Sequence, residues 1–215
     1  MFEKVNELQA QSVIQSYRAL LELLRRRKAA WDGSPRPETA ILKSALASAR
    51  RALELADETA RTRQPFERDY VRAHWLLGAA HRVAGQEDEA ERHLLEALER
   101  CRRSSMVDHE ADILIELARL RAAAGAADEA QRLADEARVI AERSGYVLQG
   151  ADAHLELARL ALSRGDRHTA RQHVEEARRL ATCDGPPDYT YQAAYAESAT
   201  LLASLASQRD GSTSA

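Results

Sequence analysis

The sequence predicts an all-α protein: a right-handed solenoid of about nine helices packed as antiparallel pairs. Three observations predict it. Gly85, Gly125 and Gly165 lie 40 residues apart, and each is followed five residues later by an alanine: Ala90, Ala130 and Ala170. Leu77-Gly78, Leu117-Ala118 and Leu157-Ala158 keep the same register, as do Leu94, Ala134 and Val174, then Ala97, Ala137 and Ala177. Apolar residues recur every three to four positions, and runs of β-branched residues that would nucleate strands are absent. Each glycine closes one helix and each alanine sits early in the next, so the unit is a helix, a tight turn and a helix. Small residues recur where helices must approach closely, and larger apolar ones where a gap must be filled. Such a pair cannot bury its apolar stripe alone, whereas stacked neighbours bury a continuous one.

Taken in order, the first helix is expected over 2–31, with Val5, Leu8, Ile14, Tyr17, Leu20, Leu21 and Leu24 as its apolar positions. Asp32-Gly33-Ser34-Pro35-Arg36-Pro37 ends it. A second helix over 38–63 carries Ala49, Leu53 and Ala56 at the spacing of the later second helices, so residues 1–64 read as a degenerate, capping pair. Pro65 opens the regular array at 65–185, with pairs at 67–84 and 87–103, 106–124 and 127–143, 147–164 and 167–182. Asp184-Gly185-Pro186-Pro187 is a firm stop, by a glycine cap and a proline pair. Within 186–206 a last helix, 189–206, bears Tyr191, Tyr195, Leu201, Leu202 and Leu205, and is expected to cap the open end of the stack. The tail 207–215 is polar and is expected to be disordered.

Composition fits packed amphipathic helices: of 215 residues 45% are hydrophobic, only 5% aromatic and 30% charged. A chain this long buries about 70% of its unfolded surface. The net charge is −3, with acids and bases interleaved along helix faces, so nothing supplies the basic stripe that nucleic-acid phosphates require. Arg25-Arg26-Arg27-Lys28 is the exception, read as a solvated helix end that complements the helix dipole. Two cysteines, Cys101 and Cys183, fit a reducing compartment. A charged leader followed by an apolar run is absent, and no stretch approaches about 18 apolar residues, so a cytoplasmic location without membrane contact is expected.

Leu77-Gly78, Gly85, Ala90, Leu94 and Ala97 resemble the tetratricopeptide repeat, whose first helix carries Leu-Gly, whose turn carries Gly, and whose second helix carries Ala, a large apolar residue and Ala. Leu117-Ala118, Gly125, Ala130, Ala134 and Ala137 form a second copy, and Leu157-Ala158, Gly165, Ala170, Val174 and Ala177 a third. The likeness is close over about 66–182. It departs from the family at the first-helix aromatic position, held by His74, Leu114 and His154, and at the closing proline, replaced by Arg102, Glu142 and Thr182. The period exceeds the family's usual value of about 34. The six extra helical residues add roughly 9 Å shared between the two helices, which implies a deeper groove.

The resemblance implies that the first helices line a concave wall and that ligands are met by Arg72, Trp75, Ala79 and Arg82, by Asp112, Ile115, Arg119 and Ala122, and by Asp152, Leu155, Arg159 and Leu162. On that wall an apolar strip of Trp75, Ile115 and Leu155 is flanked by two charged rungs, Asp112 with Arg119 and Asp152 with Arg159. A peptide with acidic residues around an apolar anchor would suit it. Intrahelical pairing of Glu116 with Arg119 and of Glu156 with Arg159 is the alternative use of those arginines. The lysine and asparagine that family members use to clamp a C-terminal carboxylate are absent from the matching positions. A second resemblance, through Glu142-Arg143-Ser144-Gly145-Tyr146, the stretch 153–160 and the stretch 183–191, is to C-terminal repeat arrays of bacterial NACHT and NB-ARC signal-transduction NTPases. It implies a sensor that is part of, or associated with, a larger NTPase switch protein.

A catalytic constellation is not visible. P-loop, Gly-x-Ser-x-Gly and Gly-x-Gly-x-x-Gly motifs do not occur, and nothing ties a serine, a histidine and an aspartate together as a triad. Seven histidines invite a metal reading, notably His168 and His173 beside His93, and His74 beside His81. His168 and His173 miss the i, i+4 spacing of two ligands on one helical face, and no ligand set completes a tetrahedron, so packing or surface roles are expected and neither metal nor cofactor. The cysteines read as packing residues. The expectation is a non-catalytic scaffold or sensor that binds a protein or peptide in its groove, with a small-ligand or signalling-peptide receptor as the alternative.

Overall fold

In a computed structural model of the chain, the described residues are 2–32, 38–62, 65–182 and 190–210. Among them are nine α-helices and no strand: α1 (Phe2–Asp32), α2 (Glu38–Thr62), α3 (Glu67–Val83), α4 (Glu87–Arg103), α5 (Val107–Ala123), α6 (Ala127–Ser144), α7 (Val147–Ser163), α8 (Arg167–Thr182) and α9 (Gln192–Asp210). Consecutive helices pack as pairs, α1 on α2, α3 on α4, α5 on α6 and α7 on α8, and each pair stacks on the next.

The 40-residue period is made of two similar halves. A left-handed residue recurs every 20 positions, at Gly85, Ser105, Gly125, Gly145 and Gly165, with φ between 53 and 79°. In each turn the next N–H reaches back five residues to a carbonyl in the last helical turn: Gln86 to His81, Met106 to Cys101, Ala126 to Arg121, Tyr146 to Ala141 and Asp166 to Ala161, all at 2.9–3.0 Å. This Schellman closure satisfies carbonyls that a helix end otherwise leaves open. It also explains why glycine marks four of the five turns, since a Cβ in that conformation is strained.

Between paired helices the register sets how closely the backbones approach. A Cβ on Gly78 would lie 2.5 Å from Cγ of Leu94 and 3.1 Å from the carbonyl of Ala90, so α3 and α4 meet only because residue 78 has no side chain. The equivalent positions hold Ala118 with Ala134 and Ala158 with Val174. Side-chain size is thus traded across the same contact in each pair. The main core runs from Ala19 of α1 to Leu160 of α7, built from the recurring leucines and alanines.

The two ends of the stack are joined. The long α1, about 45 Å by helical rise, lies along α2, touches α3 and reaches α9 at the far end. In turn α9 packs on α7 and α8, where Ala194 and Leu205 cover Leu155, Ala177 and Val174. This helix begins three residues later than expected and runs on to Asp210, so 207–210 continue it. Gly33–Pro37, Cys183, the proline stop at 184–187 and 211–215 lie outside the described residues.

Candidate functional site

Between α1 and the first helices α3, α5 and α7 lies a cleft of about 860 Å³. One wall is a single face of α1: Tyr17, Leu20, Leu24 and Arg27 follow one another at three- and four-residue steps. Opposite stand Trp75, Leu76 and Ala79 of α3 with Ile115 of α5. The Arg72 guanidinium lies 5.9 Å from the Tyr17 ring centroid, bridging the two walls. Of the wall residues expected from sequence, Arg72, Trp75, Arg82, Asp112, Ile115, Arg119, Asp152 and Arg159 all line the cleft, as does Ala79. Leu155 does not. It is fully buried with Ala151, Ala177 and Ala181, because α9 lies over the end of the array and brings Ala194 and Tyr191 against it. Ala122 and Leu162 are likewise drawn into apolar packing rather than onto the cleft.

A ladder of alternating charges runs along the floor. Arg82 donates to Glu116 at 2.7 Å, and Arg119 donates to Glu116 at 2.6 Å and stands 3.4 Å from Glu156. Arg159 donates to Glu156 at 2.6 Å and pairs with Glu197 of α9. Both intrahelical pairs weighed from sequence therefore form, extended by cross-helix partners into one network. Burial alone would raise Glu116, but Arg82 and Arg119 overcome it and hold the carboxyl at about 2.

Arg27 closes the ladder and corrects the sequence reading of its basic run as a solvated helix end. Its Nη1 donates to both Asp152 oxygens at 2.8 and 2.7 Å and to the Tyr191 hydroxyl at 3.1 Å. Nε and Nη2 donate to Glu197 at 3.1 and 3.0 Å. This side chain is only 15% exposed and ties α1, α7 and α9 together. Sequence reasoning missed Arg27 and Glu197 in the ladder, and Tyr17, Leu20, Leu24, Leu76 and His109 among the cleft residues. The face shared by Tyr17, Leu20, Leu24 and Arg27 was visible in the spacing; that it turns inward depends on tertiary packing.

Several donors in the cleft lack acceptors. Trp75 Nε1, Arg72 Nη1, Arg119 Nη2 and His109 Nε2 are buried with no hydrogen-bond partner among the described residues. Arg72 Nη1 stands 3.8 Å from Asp69 and Arg119 Nη2 3.9 Å from Asp152, beyond hydrogen-bond distance. Trp75, which lines the cleft, stacks on His109 with ring centroids 5.9 Å apart. Asp112 accepts from Gln149 at 3.1 Å, and burial, with Asp152 and Glu116 nearby, raises its carboxyl to about 7.

Nothing about the cysteine at 101 suits it to nucleophilic work. Cys101 is buried, its thiol donates to the Met106 carbonyl at 2.7 Å, and burial, with Glu110 and Asp108 nearby, pushes it up to about 12. The histidines form two matched pairs, His74 with His93 and His154 with His173, each with Nδ1 atoms 2.9 Å apart. Leu114 and Leu133 hold the same positions in the middle repeat.

The helices define an all-α helical-repeat protein. Residues 69–143 match the family model described as Tetratricopeptide repeat, which supports a tetratricopeptide repeat protein. The crystal structure of BtubC (BKLC) from P. vanneervenii is similar, with a TM-score of 0.56 at 17% identity, covering 97% of this chain and 93% of that one. At that identity the likeness bears on the fold. The curated proteins contain no match. Among the described residues no helix is long and apolar enough to cross a membrane.

Proposed function

We propose that this chain is a non-catalytic protein-interaction module that takes a short peptide segment of a partner into the cleft between α1 and α3, α5 and α7. One observation carries the reading: the cleft joins an apolar wall of Leu24, Trp75 and Ile115 to buried donors without acceptors, Trp75 Nε1, Arg72 Nη1 and Arg119 Nη2. A peptide supplies what both lack, an apolar anchor and a row of carbonyl or carboxylate oxygens. Unmet buried donors cost about 1–3 kcal/mol each, so an occupant that accepts from them gains affinity. Arg119 and Arg159 already face their own carboxylates, and this shifts the expected ligand. Acceptor placement, rather than net acidity, would select it.

A small-ligand receptor is the second reading, favoured by the cleft volume, which falls within the roughly 300–1,000 Å³ of small-molecule pockets. The phrases at 142–146, 153–160 and 183–191 support a sensor role in bacterial signal transduction, with the partner belonging to an NTPase switch protein in the cytoplasm. The charge balance supports a protein partner over nucleic acid.

Panning a random peptide library on the full chain tests the peptide reading. Recovered peptides should share an apolar anchor and bind Trp75→Ala and Leu24→Glu variants of unchanged helicity at least about tenfold more weakly. Peptides that bind both variants as tightly as the unaltered chain would remove the cleft as the site.

A further inference from the structure

At the turn of the first regular repeat, three side chains converge where α3 hands over to α4. His81 comes from the last turn of α3, and Glu89 and His93 lie one turn apart on α4. One ligand-type atom from each lies within 4.8 Å of the others. Around a tetrahedral ion with bonds of about 2 Å, ligand atoms stand about 3.3 Å apart. Glu89 is exposed and held by Arg92, and rotation of its side chain closes that difference once Arg92 is displaced.

Hydrogen-bond roles determine which nitrogens carry lone pairs. His81 Nδ1 lies 2.6 Å from the side-chain amide oxygen of Gln86, Oε1, which only accepts, so His81 carries its proton at Nδ1 and its lone pair at Nε2. His93 Nε2 lies 3.0 Å from Arg92 Nη2, which only donates, so that Nε2 also carries a lone pair. His93 must then donate from Nδ1 to His74 Nδ1, 2.9 Å away. Gln86 and His74 thereby set both imidazoles in the tautomer that leaves Nε2 available to a ligand, as outer partners do at metal sites.

We propose that His81, Glu89 and His93 bind a divalent cation of the zinc class through two Nε2 atoms and one carboxylate, with the remaining position open to water. Two imidazoles and a carboxylate are a donor set that zinc accepts. A positive charge already occupies the spot: Arg92 Nη2 donates to Glu89 at 2.5 Å while touching His93. That arm is 61% exposed and leaves readily into solvent when an ion competes for the same two atoms. The repeat itself contains a control. The third unit keeps the histidine pair as His154 and His173 but has Ala161 and Thr169 where the first has His81 and Glu89. The bound ion would pin the end of α3 to the start of α4.

The test is calorimetric titration of the tag-free, chelator-stripped full chain with Zn²⁺, with thermal melting alongside. One ion per chain and a raised melting temperature are expected. Glu89→Gln, an exposed change that spares the packing, should weaken binding by on the order of tenfold or more, and His81→Gln should do the same. Arg92→Ala should tighten it, because the competing cation is gone. A wild-type chain that takes up no zinc would overturn the proposal, as would equal affinity in the Glu89→Gln and His81→Gln variants.

Discussion

Ser105 holds the left-handed conformation, with φ 53°, at a turn whose counterparts along the array are all glycine. An L-residue there costs about 1–2 kcal/mol in backbone strain, partly offset because glycine is freer in the unfolded chain. Ser105→Gly should therefore stabilise the protein by about 0.5–1 kcal/mol; an unchanged or lower midpoint in urea unfolding would contradict this account of the turn. The 40-residue glycine register was legible in sequence, whereas its 20-residue halves were not, because serine at 105 interrupts the series that Gly145 would otherwise complete.

The pair His154 and His173 sets a pH dependence. Burial, with His173 close by, lowers His154 from the ordinary 6.5 to about 4, and burial also lowers His173. Arg138 and Glu142 of α6, and Glu176 on the helix of His173, face the same pair, with Glu142 and Glu176 opposing the shift. In this range the unfolded chain binds more protons than the folded one, so the pair's contribution is complete above about pH 6.5 and is lost as pH falls toward 4. The middle repeat shows the apolar equivalent, Leu114 with Leu133. Replacing both histidines, His154→Leu and His173→Leu, should flatten the fall in melting temperature between pH 6.5 and 4; a profile as steep as the unaltered chain's would contradict this.

At the scale of elements, the joint between α1, α7 and α9 depends on Arg27. Glu197, whose side chain is fully buried, and Asp152 share this guanidinium. Removing one member of such a group leaves buried charge uncompensated, which costs about 3–5 kcal/mol. Arg27→Ala should lower unfolding stability by that order, and Arg27→Lys should recover only part of it, since an ammonium cannot serve two carboxylates with a fixed fork. Denaturation curves that superimpose on those of the unaltered chain would refute the role. The helices α3 to α8 were readable to within a residue or so because Leu-Gly, Gly and Ala recur in register. Nothing comparable announced Arg27, since a contact across 170 residues has no local period. Leu155 was misjudged for the same reason: its register matches Trp75 and Ile115, but α9 lies on it.

The whole molecule is a stack whose two ends are tied through α1 and α9. Ala194, Leu205 and the half-buried Tyr191 and Tyr195 cover the apolar side of α7 and α8. A chain ending before Thr190 would expose Leu155, Val174 and Ala177 and strip Arg27 and Arg159 of Glu197. It should melt earlier and associate, with both changes visible by light scattering during a thermal ramp; an equally stable truncated chain that elutes as its size predicts would count against a capping role for α9.

The central claim is that a partner segment enters between α1 and the first helices. Leu24 faces that cleft, whereas Leu95 is exposed on α4 and does not line it. A photo-crosslinking residue placed at each position, tested with a peptide recovered by panning, addresses the claim most directly. Crosslinking at 24 and none at 95 is the expected result; crosslinking at 95 and none at 24 would contradict the account.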